Sequence, residues 1–325
     1  MTYLRSSPLG EQIAENDKAL LLSNFIETPE YRSVIETKDR TVVVGRRGTG
    51  KSAMFAKLAD FWGTQKSANV ISIAPEDFQT IQFRSVFGAF NAHYSHIRAV
   101  SRMAWKYGLM MEMLNHLSRH FKTRDQISRQ KAVLDATKQW QSTSKDFFAK
   151  LCIKLLPLVR EAGVEVEQII GGLYSALNLQ AIDEAFSEIL ENSSFRFYIL
   201  IDRLDEGYEN DVSGAAIVSG AIAAVAELNK RFEPVRCVIF QRDNILRAVQ
   251  KFDPDYTRNI EGEVVSIHWD TYQLQNLVAR RLNSAFNLGL ENAQKIWDRC
   301  TADEGPSREL QGATGFKKCL QFTLY

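Results

Sequence analysis

Long apolar runs, paired cysteines and an excess of either charge are all missing from this 325-residue sequence. Its most apolar stretch, 214–226, is interrupted by Ser219 and followed by Glu227. At about 13 residues it is too short to span a bilayer and predicts a buried helix. Forty Lys and Arg against 39 Asp and Glu leave a formal charge of +1. That balance excludes a globally basic nucleic-acid binder and an acidic tail protein, and leaves only local patches to do such work. Cys152, Cys237, Cys300 and Cys319 form no CxxC pair and no zinc-ribbon spacing, which predicts free thiols in a reducing compartment. The first twenty residues carry Glu11, Glu15, Asp17 and Lys18 in place of a basic start and an apolar core, so they do not read as a signal peptide. The expectation is a cytoplasmic chain without membrane contact. No internal repeat and no low-complexity segment is visible.

What is present is the material for a sizeable core: 45% apolar and 24% charged residues. The length suits two domains, or one large domain with insertions. Residues 9–36 read as a helical lead-in, with Leu20, Leu21, Leu22 and Phe25 on its apolar face and a break at Thr28-Pro29. Five short apolar runs bounded by breakers predict buried strands at 41–44, 69–74, 195–201, 235–240 and 262–268. Helix-length segments separate them, and strands alternating with helices imply a mostly parallel sheet covered on both faces. About 120 residues between the second and third strands contain helix formers and no strand pattern, which predicts a helical insertion. After His268 the pattern is helical, with Leu274, Leu277, Val278 and Leu282 on one face.

Residues 45–52, Gly45-Arg46-Arg47-Gly48-Thr49-Gly50-Lys51-Ser52, match G-x-x-x-x-G-K-[ST] in full. In that spacing backbone N–H groups of the loop and the first turn of the next helix, from Ala53 on, converge on a β-phosphate, and glycines permit the curvature. Lys51 would reach the β- and γ-phosphates, and the Ser52 hydroxyl would bind Mg²⁺. Arg46 and Arg47 add positive charge. The motif follows a predicted strand and opens a predicted helix, as the chemistry demands.

Further along, Phe197-Tyr198-Ile199-Leu200-Ile201 leads into Asp202-Arg203-Leu204-Asp205-Glu206. An aspartate at the carboxyl end of a buried strand is costly unless it is paired or holds a cation, and ligands of open α/β sheets gather at that edge. Asp202 is therefore a candidate Mg²⁺ ligand beside Ser52. Asp205 or Glu206 would orient and deprotonate the attacking water, and the spacing does not choose between them.

Together these two segments resemble the ATPase core of AAA+ and STAND-type P-loop NTPases, nearest to NACHT-like and origin-recognition-like members and to prokaryotic P-loop ATPases. The likeness covers residues 15–75 and 195–285. It implies an ASCE/AAA+-like α/β fold with a parallel five-stranded sheet in the order 5-1-4-3-2, a large helical insertion, a C-terminal helical lid, and oligomerisation around ATP. NACHT-like members usually carry a small residue after the magnesium aspartate and typical AAA+ proteins a glutamate, where this sequence has Arg203. The resemblance also makes Arg242, after the fourth strand, the detector of the γ-phosphate, and Arg281 the lid arginine that faces the nucleotide while Arg280 faces solvent. On this reading residues 1–36 are a lead-in, 37–78 and 192–268 the ATPase core, 79–191 the insertion, and 269–325 a lid. The run Phe322-Thr323-Leu324-Tyr325 suggests that this last region is truncated.

Charge is unevenly spread. Between Arg84 and Lys131 nine basic residues face only Glu112 and Asp125, while residues 161–210 hold eleven acids against Arg196 and Arg203. The basic segment, interleaved with Phe87, Phe90, Tyr94, Trp105, Tyr107 and Phe121, suits a nucleic-acid backbone, a contact with the acidic half of a neighbouring subunit, or a solvated face. Met103, Leu109, Met110, Met113, Leu114 and Leu117 read as packed core. His116 and His120, spaced i, i+4 without a nearby carboxylate, read as structural histidines rather than metal ligands. The combined expectation is an Mg-dependent ATPase acting as an oligomerising switch or motor, DNA-linked and set in prokaryotic defence against phage. The alternatives are a non-hydrolysing ATP-bound scaffold that recruits a protein, and a small-molecule phosphotransferase.

Overall fold

The computed structural model describes residues 18–300 except 91, 92, 145, 160–164, 206, 208 and 210. Five parallel strands form one sheet: β1 (Val42–Gly45), β2 (Ala68–Ile73), β3 (Arg196–Ile201), β4 (Val235–Arg242) and β5 (Val264–Ser266), in the spatial order β2-β3-β4-β1-β5. This is the order 5-1-4-3-2 seen from the other edge. β1 is buried along its whole length, as a β-branched run flanked on both sides should be. The fifth strand is shorter than the sequence pattern suggested, because 261–263 close into a 3₁₀ turn before it.

The helices, in chain order, are α1 (Lys18–Ser23), α2 (Pro29–Glu36), α3 (Lys51–Gly63), α4 (Asp77–Ser85), α5 (Tyr94–Ser118), α6 (Phe121–Arg129), α7 (Lys131–Thr143), α8 (Phe147–Val159), α9 (Val166–Ala176), α10 (Leu179–Glu191), α11 (Val212–Arg231), α12 (Asp243–Phe252), α13 (Pro254–Asn259), α14 (Thr271–Phe286) and α15 (Ala293–Cys300). The lead-in is interrupted before Pro29, where the Thr28-Pro29 pair places a break: α1 stops at Ser23, and Pro29 opens α2, since a proline at the first helical position gives up only an N–H that would be unpaired anyway. The part of the lead-in before Lys18 lies outside the described residues, as do Cys319 and the run 322–325.

The chain divides into two units: 29–267, and 1–28 with 268–325. In the larger one, α3 covers one face of the sheet through Met54, Leu58 and Trp62, with Phe55 edge-on to Phe240 and Trp62 stacked on Tyr198. The other face is covered by α11. By length and composition alone α11 could cross a membrane, but 72% of its most apolar window is buried inside the protein, so it is a core helix. Among the described residues no strand interrupts 79–191. The axis of that insertion is α5, which buries residues from Ile97 to Leu117, as a helix apolar on nearly all sides must. All six methionines and leucines expected as core in α5 pack there, Met103 only partly buried. Phe83, Phe147 and Phe148 meet Trp105 at centroid distances of 5.4–6.2 Å, joining α4 and α8 to α5.

Where α5 crosses α11 the backbones nearly touch. A Cβ at Gly220 would lie 2.5 Å from the Ser101 Cβ and 2.8 Å from the Arg102 amide nitrogen, so only glycine fits. Beside this crossing Lys106 Nζ bonds Glu227 Oε1 at 2.8 Å and lies 3.4 Å from Asp183, while Arg102 Nη2 reaches Glu227 Oε2 at 2.7 Å. Arg84 pairs with Glu209 and Asp211, and Arg98 lies 3.8 Å from Asp253 with its guanidinium over the Tyr256 ring. With Arg129 paired to Asp125 at 2.7 Å, five of the nine basic residues of the segment are held by this chain's own acids.

In the smaller unit, Ala279, Leu282 and Ile296 form a core between α14 and α15, with Val278 and Leu290 packed against it. Leu274, expected on the same stripe, is exposed, because the helix buries its face only from Val278 on. Asp270 and Gln273 form a reciprocal cap at the start of α14, and the Asn283 side chain bonds both the amide and the carbonyl of Leu290 to close the turn between the two helices.

Candidate functional site

The segment 45–52 runs from the end of β1 into α3. Gly48 and Gly50 hold positive φ of 82° and 89°, the left-handed region that glycine enters without cost. At Gly45 a Cβ would collide with the Thr49 hydroxyl and lie 3.1 Å from the Ile267 carbonyl oxygen. Thr49 closes the turn by donating from Oγ1 to the Arg46 carbonyl at 2.9 Å. The Lys51 ammonium folds back over this loop and donates to the carbonyl oxygens of Gly45 (2.9 Å) and Arg46 (2.8 Å). Burial holds the Lys51 amine below its ordinary pKa, against the pull of Asp202 and Asp205 in the other direction.

Asp202 leaves β3 at the same carboxyl edge. Its Oδ2 accepts from the Ser52 hydroxyl at 3.2 Å and its Oδ1 from the Arg203 amide at 2.9 Å. The residue is only 6% exposed, and burial pushes its carboxyl above the usual carboxylate range. A buried carboxylate held by one hydroxyl and one amide, next to a helix N-terminus, has lone pairs left for a hard cation. The donor set of Ser52 and Asp202 therefore fits Mg²⁺, a metal that keeps most of its shell for water and phosphate. Among the described residues no group of three or more His, Cys, Asp or Glu forms a dedicated metal cage. The His120 ring lies 4.5 Å from that of Phe195, tilted by 42°, and burial lowers the His116 pKa.

Arg203 takes the left-handed conformation, φ 61°, unusual for a side chain with a Cβ. The kink turns the chain so that Asp205, two residues on, meets the end of β4: its Oδ2 lies 2.5 Å from Arg242 Nε. The β1–β4 register pairs Gly45 with Arg242, which brings that guanidinium to the start of the glycine loop. Asp243 pairs instead with Arg247 at 2.9 Å and lies 3.8 Å from the exposed Arg46. Lys51, Ser52, Asp202, Asp205 and Arg242 thus gather at the carboxyl ends of β1, β3 and β4. Arg47 is exposed and Ala53 sits in the first turn of α3. Glu206 lies outside the described residues. Arg281, half-buried on α14, belongs to the smaller unit, where Arg280 is exposed and donates to the Phe25 carbonyl at 3.2 Å. The Asp205–Arg242 pair was not read from the sequence; only the proximity of two strand ends in the 5-1-4-3-2 order could have signalled it.

No family model and no solved structure matches the chain. It is 44% identical over 321 residues to the "Putative transposon gamma-delta 80.3 kDa protein" of Escherichia coli (strain K12), a match covering 99% of this chain and 45% of that protein. Over 86 residues it is 56% identical to "Allergen Alt a 2" of Alternaria alternata, covering 26% of this chain and 43% of that protein. The matched regions therefore cover less than half the length of either curated relative.

Proposed function

We propose that this chain is an Mg-dependent P-loop ATPase of the AAA+/STAND type, with α14 and α15 as its lid, working in the cytoplasm as an ATP-driven oligomerising switch. The observation that carries the reading is the convergence of Lys51, Ser52 and Asp202 at the carboxyl edge of a 5-1-4-3-2 sheet, around a loop whose glycines adopt the required backbone. In it the amides of 46–53 cradle the phosphates of ATP, and Lys51 exchanges its two loop carbonyls for phosphate oxygens. Ser52 and Asp202 would hold Mg²⁺, which when bound would supply neutralisation of phosphate charge. Arg242 turns from Asp205 to the γ-phosphate, and the released Asp205, or Glu206 beside it, takes the proton of the attacking water.

The Asp205–Arg242 pair also favours a second reading, an ATP-held scaffold that turns over slowly, because an acid engaged by a guanidinium is a poor base. The longer relative is named for a transposon, which favours a setting on mobile DNA, beside the defence role that the family resemblance implies. The test is steady-state phosphate release from ATP with Mg²⁺, using Lys51→Ala as the blank. Release above the blank supports the ATPase. Release at the blank level with nucleotide still bound supports the scaffold, and absence of nucleotide binding removes the assignment.

A further inference from the structure

The basic segment of the insertion sorts into two groups. Arg84, Arg98, Arg102 and Lys106 are committed to internal acids. Arg119, Lys122 and Arg124, at the corner between α5 and α6, are exposed and make no ion pair among the described residues. Asp125, the acid next to them in sequence, pairs with Arg129 at 2.7 Å. In their midst Phe121 is 81% exposed, the most exposed large apolar side chain among the described residues. It does not serve the packing of α6, which buries Thr123 and Ile127 on its opposite side.

The corner is rigid. The amides of Arg119 and His120 bond the carbonyls of His116 (3.2 Å) and Leu117 (3.1 Å), Arg124 N bonds His120 O at 2.8 Å, and Thr123 Oγ1 donates to the Leu117 carbonyl at 2.5 Å. His120 anchors it from below against Phe195. An aromatic ring is thus held out to solvent with Arg124 one turn away, the i, i+3 neighbour on the same face. A ring face between guanidinium and ammonium groups is complementary to an unpaired base flanked by phosphates.

We propose that the α5–α6 corner binds single-stranded nucleic acid, Phe121 stacking on a base while Arg119, Lys122 and Arg124 contact the backbone. A second copy of the chain has no use for the exposed Phe121 ring, and three of the eleven acids it would offer are already engaged: Asp183 by Lys106 and Arg231, Asp205 by Arg242, Glu209 by Arg84. The surface is separate from the phosphate loop and does not depend on the ATPase assignment.

The probe is a fluorescein-labelled oligothymidylate about 20 nucleotides long, titrated without nucleotide at low salt and followed by anisotropy. The full chain and its Lys51→Ala variant bind it equally. Phe121→Ala weakens binding about tenfold, in the range for loss of one stacked base, with the thermal midpoint unchanged. The double variant Arg119→Ala/Arg124→Ala lowers the slope of log affinity against log salt by about 1.4, the value for two phosphate contacts on a single strand. Equal binding by wild type and Phe121→Ala, or no binding at low salt, overturns the proposal. So does a double variant that alters the sedimentation of the chain and leaves oligonucleotide affinity intact, since that result assigns the corner to protein contact.

Discussion

Asp205 and Arg242 hold each other at 2.5 Å across the gap between β3 and β4, the aspartate side chain 9% exposed and the arginine 39%. The pair sets the resting state of the site: the acid that would accept a proton and the cation that would sense a γ-phosphate are each other's partner. Under the proposed function, the γ-phosphate would compete with a carboxylate for the same guanidinium.

The competition makes Asp205→Asn and Arg242→Ala distinguishable. With Asn at 205 the guanidinium is free, so ATP binds as tightly as before or more tightly, while turnover falls by at least tenfold. Without the Arg242 guanidinium both binding and turnover fall. Steady-state KM and kcat for the two variants separate them; identical profiles would contradict the latch.

A methyl group at residue 45 tests the loop. Gly45→Ala pushes Thr49 Oγ1 and the Ile267 carbonyl out of place, so the variant folds but loses binding of a fluorescent ATP analogue. Adding Thr49→Ala removes the worse of the two collisions and restores part of the binding. No restoration would mean that the contact with Ile267 dominates.

Stability should depend on pH through Asp202 in the direction opposite to that of a salt-bridged acid. Burial raises its folded pKa, so the native state holds the proton more tightly than the unfolded chain. Its contribution is unfavourable at neutral pH and disappears as pH falls below the ordinary carboxylate value near ~4. Asp202→Asn is therefore more stable than wild type at pH 7, with the difference in thermal midpoint shrinking in acid, and it loses Mg²⁺-dependent turnover. A lower midpoint for Asp202→Asn at pH 7 would refute this.

Glu227 gives the opposite sign. Its burial opposes ionisation, but the hydrogen bonds and charges of Lys106 and Arg102 outweigh that and hold its pKa below the usual range. The stabilisation it provides is full above the unfolded carboxylate value and is lost as pH falls through the depressed one. Glu227→Gln leaves Lys106, whose side chain is only 11% exposed, with Asp183 at 3.4 Å as its remaining carboxylate, and costs about 1.5–3 kcal/mol in urea unfolding at pH 7, with less pH dependence in acid.

The parts of the molecule legible in the sequence were those fixed by local spacing. The glycine loop, Lys51, Ser52 and the β-branched run before them are covalently contiguous, and the buried run ending in Asp202 needs no knowledge of its neighbours. Arg242 and Asp205 are 37 positions apart in the numbering, and their meeting depends on the left-handed turn at Arg203 and on strand register, neither of which residue types announce. The basic insertion looked uniform for the same reason. Lys106 and Arg102 find Glu227 121 and 125 residues later, whereas Arg119 and Arg124 meet no acid among the described residues, and composition cannot tell them apart.

The glycine crossing of α5 and α11 also bears on how this chain can be taken apart. Because α5 supplies one wall of the compartment in which α11 is buried, the insertion is not an appendage that could be cut out at its ends. Deleting 79–191 would lay bare the flank of α11 from Gly214 to Leu228, an oily strip long enough to drive the remaining sheet into aggregates. Dissection should therefore proceed by point substitution within the insertion, leaving the helix pair whole.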